Sequence, residues 1–375
     1  MTVAEPAPQS QTADPDLESW AQGRPYAGAV DSSADGLTGG SSSGPAGGLA
    51  GAGGSAHPAH PAHPKSRAVV LGGGGPVGQA WQTGLVAGLM QHGIDLGDAD
   101  LIIGTSAGAI VGAMLSLDVD LAAVAAEFAA PDESAPSPDA AAGLAELLAV
   151  TAAVADLPDR DEACARIGRM ALAASTVEEK ASLARAALAP LASRAWPRNL
   201  HATAVNVRTG TFTVWDATCP APLLDAIAAS SALPGVYPPI TIGTQRYMDG
   251  GVRSMLNADL AAGHGTVIVV SCLPLGAPGG SDGSADTDAT MANHTNSGSD
   301  MALLAELAAV RNSGSVLEVV TPGEEVHALT ISGPGMFDPE LMHDAYQAGL
   351  RQAEQLAQRL GAAWARESAG ARQSS

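Results

Sequence analysis

Three short stretches of this chain hold residue types that can attack and stabilise an acyl group. Gly104-Thr105-Ser106-Ala107-Gly108 follows the apolar run Leu101-Ile102-Ile103 and precedes the small-residue run Ala109-Ile110-Val111-Gly112-Ala113. A strand, a sharp turn with serine at its apex and then a helix make the G-x-S-x-G pattern of a nucleophile elbow. The chemistry dictates the residue types. A nucleophilic serine must stand clear of its own backbone, and Gly104 and Gly108 carry no Cβ to strike the neighbouring strand and helix. The helix starting beside Ser106 aims N–H groups and a positive dipole end at charge that develops on a substrate. Taken alone, the pentapeptide fits an ordinary buried strand-to-helix turn equally well.

One strand upstream, Ala68-Val69-Val70-Leu71 reads as a short buried strand. It runs into Gly72-Gly73-Gly74-Gly75-Pro76-Val77-Gly78 and then a helical pattern over residues 79–91, stopped by Gly93. Successive glycines let backbone N–H groups point into one hollow, an anion-binding nest that can serve as an oxyanion hole. The same run satisfies the dinucleotide fingerprint as Gly73-x-Gly75-x-x-Gly78, with Asp95, Asp98 and Asp100 near the distance expected of a ribose-binding acid. Those acids precede the next strand instead of ending it, and that strand leads to a serine elbow, which a nicotinamide site does not need. The third stretch is Asp249-Gly250-Gly251, after the strand-like Arg246-Tyr247-Met248. A carboxylate on a Gly-Gly turn can approach a hydroxyl closely and take its proton. On its own this is a common Asp-Gly hairpin turn.

Taken together and in this order, the three stretches resemble the patatin-like phospholipase family. That family carries a glycine-rich oxyanion loop, a G-x-S-x-G elbow and a D-G-[GA] motif, and uses a serine–aspartate dyad. The segment from Ala229 to Pro239, ASSALPGVYPP, is similar to the family's stretch before its aspartate. The resemblance spans roughly residues 67–272. It implies a three-layer α/β/α fold with a mostly parallel central sheet, and a serine acyl hydrolase that cleaves carboxylic esters of lipids, phospholipase- or lysophospholipase-like. It implies Ser106 as nucleophile, Asp249 as base, and the amides of Gly73, Gly74 and Gly75 as oxyanion donors. Gly72, Gly78, Gly104, Gly108, Gly250 and Gly251 support the motifs. One departure stands out: Val77 occupies the place of a basic residue in the family's loop. That departure removes a cation near the acyl site, and with it the ground for a strong preference for anionic head groups, while the backbone amides and hence hydrolysis stay intact. No cofactor and no metal is expected.

Two alternatives stay open at this level. A Ser-His-Asp triad needs a histidine on a loop after a late strand. Downstream of the elbow lie His201, His264, His294, His327 and His343, and His264 is the best placed. The other alternative is a non-catalytic nucleotide- or lipid-binding module on the same scaffold.

The elements that must position these residues follow from pattern and composition. The chain has 375 residues, few aromatics and abundant glycine, so its core must be aliphatic. Cys164, Cys219 and Cys272 are an odd, widely spaced set, giving neither a disulfide framework nor metal spacing. With no export signal, they point to a reducing, cytoplasmic location. The formal net charge of −21 argues against nucleic acid and against tight binding to anionic membrane. A lipid or acyl-ester substrate with transient membrane-surface contact is the expected partner; oligomeric state is not fixed. Residues 1–66, rich in Gly, Ser, Pro and His-Pro repeats, are expected to be a disordered tail. Residues 67–368 form the expected catalytic domain, and 369–375 a short disordered tail. Within the domain, residues 118–197 read as an Ala-rich helical insertion, equally a cap over the site or a layer beside the sheet. Residues 276–299 read as a polar, flexible loop whose aspartates fit no EF-hand. Strands are predicted at 202–207, 211–215, 266–271 and 316–320, with helices over 222–232, 301–311 and 338–367.

Overall fold

The computed structural model describes residues 63–128, 140–273, 298–329 and 334–365. The expected N-terminal tail up to residue 62, the loop up to residue 297, the C-terminal tail and His294 lie outside the described residues. In chain order the elements are β1 (His63–Leu71), α1 (Gly75–Gln91), β2 (Leu101–Gly104), α2 (Ala107–Ser116), α3 (Leu121–Glu127), α4 (Ala140–Val154), α5 (Arg160–Ala173) and α6 (Glu179–Leu183). There follow β3 (Leu200–Asn206), β4 (Phe212–Trp215), α7 (Leu223–Ser230), β5 (Ile240–Ile242), β6 (Gln245–Asp249), β7 (His264–Val270), α8 (Gly298–Asn312), β8 (Val316–Val320), α9 (Glu324–Leu329) and α10 (Met342–Trp364).

Two boundaries differ from expectation for physical reasons. β1 starts at His63, inside the stretch that composition assigns to the tail, because pairing with β7 recruits it into the sheet. α1 starts at Gly75 and not near Gln79: Pro76, in its first turn, presets the helical φ that the glycines do not favour.

Among the described residues the strands form an eight-stranded sheet. β3, β2, β1, β7 and β8 are mutually parallel, and β4, β5 and β6 are antiparallel additions. Alternation along the parallel strands sends Val69, Leu71 and Ile102 into one core and Ala68, Val70 and Ile103 into another. The first core is covered by α1, α2, α7 and α10. The second is covered by α8 and the 258–261 turn. α4 and α5 extend that second layer, packing Leu147, Ile167 and Met170 on Val205, Val207 and Met248. These helices of the insertion therefore lie beside the sheet. The result is the expected three-layer α/β/α fold with a mostly parallel sheet.

β3 carries the geometry that matters most. Ala202 pairs with both Gly104 of β2 and Trp215 of β4, and Ala204 pairs with both Thr213 of β4 and Asp249 of β6. A strand has two edges, so β2 and β6 share one edge of β3. β2 climbs that edge and stops at Gly104; β6 descends it and stops at Asp249. They meet end to end, with Thr203 between them.

Candidate active site

At that junction the structure places Ser106 and Asp249 in direct contact. Ser106 stands at the N-cap of α2 with φ 55° and ψ −119°, a conformation a non-glycine residue rarely adopts and one that lifts its side chain off the turn. Its Oγ donates to Asp249 Oδ2 at 2.6 Å. Asp249 is 1% exposed, its Oδ1 accepts the Gly251 N–H at 2.7 Å, and its own N–H donates to the Ala232 carbonyl. Burial pushes the Asp249 carboxyl up to about 6, against the hydrogen bonds from Ser106 and Gly251 and the charge of Arg185, which all pull it down.

The motif glycines are there because nothing larger fits. A Cβ on Gly108 would stand 2.0 Å from the Leu71 carbonyl oxygen, and one on Gly104 would stand 2.4 Å from Ala109 Cα. A Cβ on Gly250 would strike Thr203 Oγ1 at 2.2 Å. In the glycine-rich loop, Gly74 and Gly78 make room for Cys272, whose thiol is buried and pushed up to about 12. Gln82 Nε2 ties the loop down, donating to the Gly72 carbonyl at 2.8 Å and to Cys272 Sγ at 2.7 Å. Gly75 takes φ +60°.

One expected role is corrected. The Gly73 N–H donates to the Met255 carbonyl at 2.8 Å and so is committed elsewhere. Gly73 contributes its missing side chain: a Cβ there would lie 3.3 Å from Ser106 Cβ. The N–H groups of Gly74 and Gly75 find no acceptor among the described residues. Val77 is fully buried in the core of α1, so the position held by a basic residue in the family turns inward here.

The two alternatives fare differently from the dyad. His264 begins β7, where the strand runs parallel to β1 from its amino end, and its Nδ1 lies 3.1 Å from the Ala261 carbonyl. Val270, level with Leu71 at the carboxyl edge, is six residues further on, roughly 20 Å along the strand. Among the described residues neither Ser106 nor Asp249 has a histidine hydrogen-bond partner. The acids near a ribose distance are at the wrong edge too. Asp95 caps the 96–98 turn and Asp100 accepts the Arg67 N–H at 2.7 Å, both at the amino ends of β1 and β2. Among the described residues no cluster of His, Cys, Asp and Glu could hold a metal.

Sequence reasoning missed the residues that hold the two motifs together. The Ser106 N–H donates to Ser230 Oγ at 3.1 Å, and the neighbouring Ser231 Oγ accepts from the buried Arg185 at 2.8 Å. Arg185 also lies 4.2 Å over the Tyr237 ring. On the other side Thr105 Oγ1 meets Thr203 Oγ1 at 2.9 Å, and Asn257 Nδ2 donates to Thr105 Oγ1 at 3.0 Å. All three are fully buried. The doubled serine within ASSALPG was a visible signal; the threonines and Asn257 gave none.

A serine on a strand-elbow-helix turn, hydrogen-bonded to a buried carboxylate within a three-layer α/β/α fold, has the parts an acyl hydrolase needs. The family model for patatin-like phospholipases matches residues 69–262, just over half of the chain, and the chain belongs to that family. It is accordingly a lipid acyl hydrolase. No curated protein sequence matches it. Among solved structures, VipD from Legionella pneumophila is similar over 80% of this chain and 68% of its own, at 12% identity and a TM-score of 0.36. The type III effector protein ExoU is similar over 78% of this chain at 15% identity and a TM-score of 0.25, and the chain spans 54% of it. Among the described residues no helix is long and apolar enough to cross a membrane.

Proposed function

We propose that this enzyme cleaves carboxylic ester bonds of lipids through a Ser106–Asp249 dyad, with the amides of Gly74 and Gly75 as oxyanion donors. The observation that carries the reading is the 2.6 Å hydrogen bond from Ser106 Oγ to a carboxylate that is 1% exposed. Asp249 accepts the hydroxyl proton as Ser106 Oγ adds to the ester carbonyl. The tetrahedral oxyanion forms beside the glycine-rich loop at the N-terminus of α1, where amides with no acceptor among the described residues and the helix dipole favour negative charge. Collapse breaks the ester C–O bond, and the proton held on Asp249 passes to the leaving alkoxide. Water then adds to the acyl-enzyme as Asp249 takes one of its protons; collapse breaks the acyl–Oγ bond, the proton returns to Ser106 Oγ, and the carboxylic acid leaves. Gly251 fixes the second carboxylate oxygen throughout, so the lone pairs of Oδ2 stay aimed at Ser106.

The inward turn of Val77 supports a neutral or zwitterionic lipid over an anionic head group, and the net charge of −21, which opposes tight binding to an anionic surface, agrees with it. A fluorophosphonate probe tests the nucleophile. Labelling of the parent and its loss in Ser106→Ala are expected, together with loss of nitrophenyl-ester turnover by about a thousandfold or more. Turnover by Ser106→Ala at the parent rate would refute the assignment.

A further inference from the structure

A methionine outside every motif lies against the two glycines that flank the dyad, Gly73 beside Ser106 and Gly251 beside Asp249. Met255 follows the Asp249-Gly250-Gly251 turn, and its backbone and side chain do different things. The carbonyl holds the glycine-rich loop by accepting the Gly73 N–H at 2.8 Å. The side chain spans the gap between two glycines. A Cβ on Gly73 would stand 2.8 Å from Met255 Cε and 3.3 Å from Ser106 Cβ. A Cβ on Gly251 would stand 2.9 Å from Met255 Sδ and 3.0 Å from Asp249 Oδ1. The methyl thus sits on the hydroxyl side and the sulfur on the carboxylate side. The residue is half-buried and packs against the core that contains Leu256.

We infer that Met255 is a specificity-determining residue whose side chain walls the acyl slot beside Ser106 and limits the acyl group that can enter. The inference rests on the reading of Ser106 as nucleophile. In this reading the first methylenes of an acyl group bonded to Ser106 Oγ run along Gly73, and the atoms beside Gly73 are the thioether's. A thioether selects by shape, and it is an unbranched, adaptable group suited to an alkyl chain. Because the loop is held by the Met255 backbone, changing the side chain alters the slot and leaves that hydrogen bond available.

The test uses the full chain and the ratio of kcat/KM for nitrophenyl decanoate to that for nitrophenyl acetate. Met255→Ala should raise the ratio about tenfold and Met255→Phe should lower it by a similar factor, as one or two methylenes in an apolar pocket do. Met255→Leu, close in volume, should keep it. Ratios within twofold of the parent in both Met255→Ala and Met255→Phe would overturn the inference, as would a uniform loss on both esters. If Met255→Ala does not melt cooperatively, the fall in Met255→Phe decides. Persistent activity in Ser106→Ala would bring down the reading of the site itself. Loss there with unmoved ratios would bring down only the role of Met255.

Discussion

Asp249 joins two properties that pull against each other. It must be ionised to accept a proton, yet burial raises its carboxyl to about 6. The acid limb of kcat/KM should therefore fall below about pH 6, well above an ordinary carboxylate, and a pH–rate profile on a neutral ester checks it. The same group bears on stability. Its folded value lies above the unfolded one near 3.8, so its share of stability is whole below that pH and is lost as pH rises through about 6. At pH 7 the ionised carboxylate opposes folding, by something on the order of 1–3 kcal/mol. Asp249→Asn should abolish turnover while raising the denaturation midpoint at pH 7 and changing it little at pH 4. At this scale the sequence was legible where chemistry constrains neighbours in the chain. Ser106 between Gly104 and Gly108, and Asp249 before two glycines, announce themselves because a strained turn admits few residue types. Ser230, Thr203 and Asn257 do not, because a buried hydroxyl or amide is selected by partners that lie 124, 98 and 152 residues away in the chain.

The elements are held by close approach where side chains would not fit. α10 crosses α1 through Gly84, Gly88 and Gly349; a Cβ on Gly349 would stand 2.3 Å from the Trp81 carbonyl oxygen and one on Gly84 would stand 2.1 Å from that of Tyr346. Trp81 Nε1 then donates to Gln352 Oε1 across the crossing at 2.8 Å. Gly349→Val should destabilise by about 3 kcal/mol, since backbone, and not a movable side chain, blocks the new atoms. Gly361→Ala in the same helix meets only Ile94 at 3.4 Å and should gain up to about 1 kcal/mol from helix propensity. Urea midpoints of the two variants check the contrast. Periodicity foretold α10 and the buried strands, whose patterns are strong. It missed the first turn of α1, where glycines hide a helix that Pro76 and tertiary packing impose, and the first residues of β1, where His-Pro composition hides a strand completed by β7.

On the scale of the whole molecule, the family match ends at residue 262, but the sheet does not. β7 begins two residues later and lies between β1 and β8. Cutting the chain after residue 262 would leave β1 as a bare edge and strip Val267, Val269 and the α8 side chains from one core. Such a chain should show no cooperative thermal transition by circular dichroism, whereas one cut after residue 365 should melt as the parent does. Topology of this kind was not legible beforehand, because strand order depends on pairings such as Ala68 with Val267 that no local pattern encodes. The shared edge of β3 gives the catalytic separation a digital character. One added residue after Ala202 would slide Asp249 by about 3.3 Å and turn every later side chain of β3 to the opposite layer. Both motifs would survive letter for letter while the proton lost its acceptor.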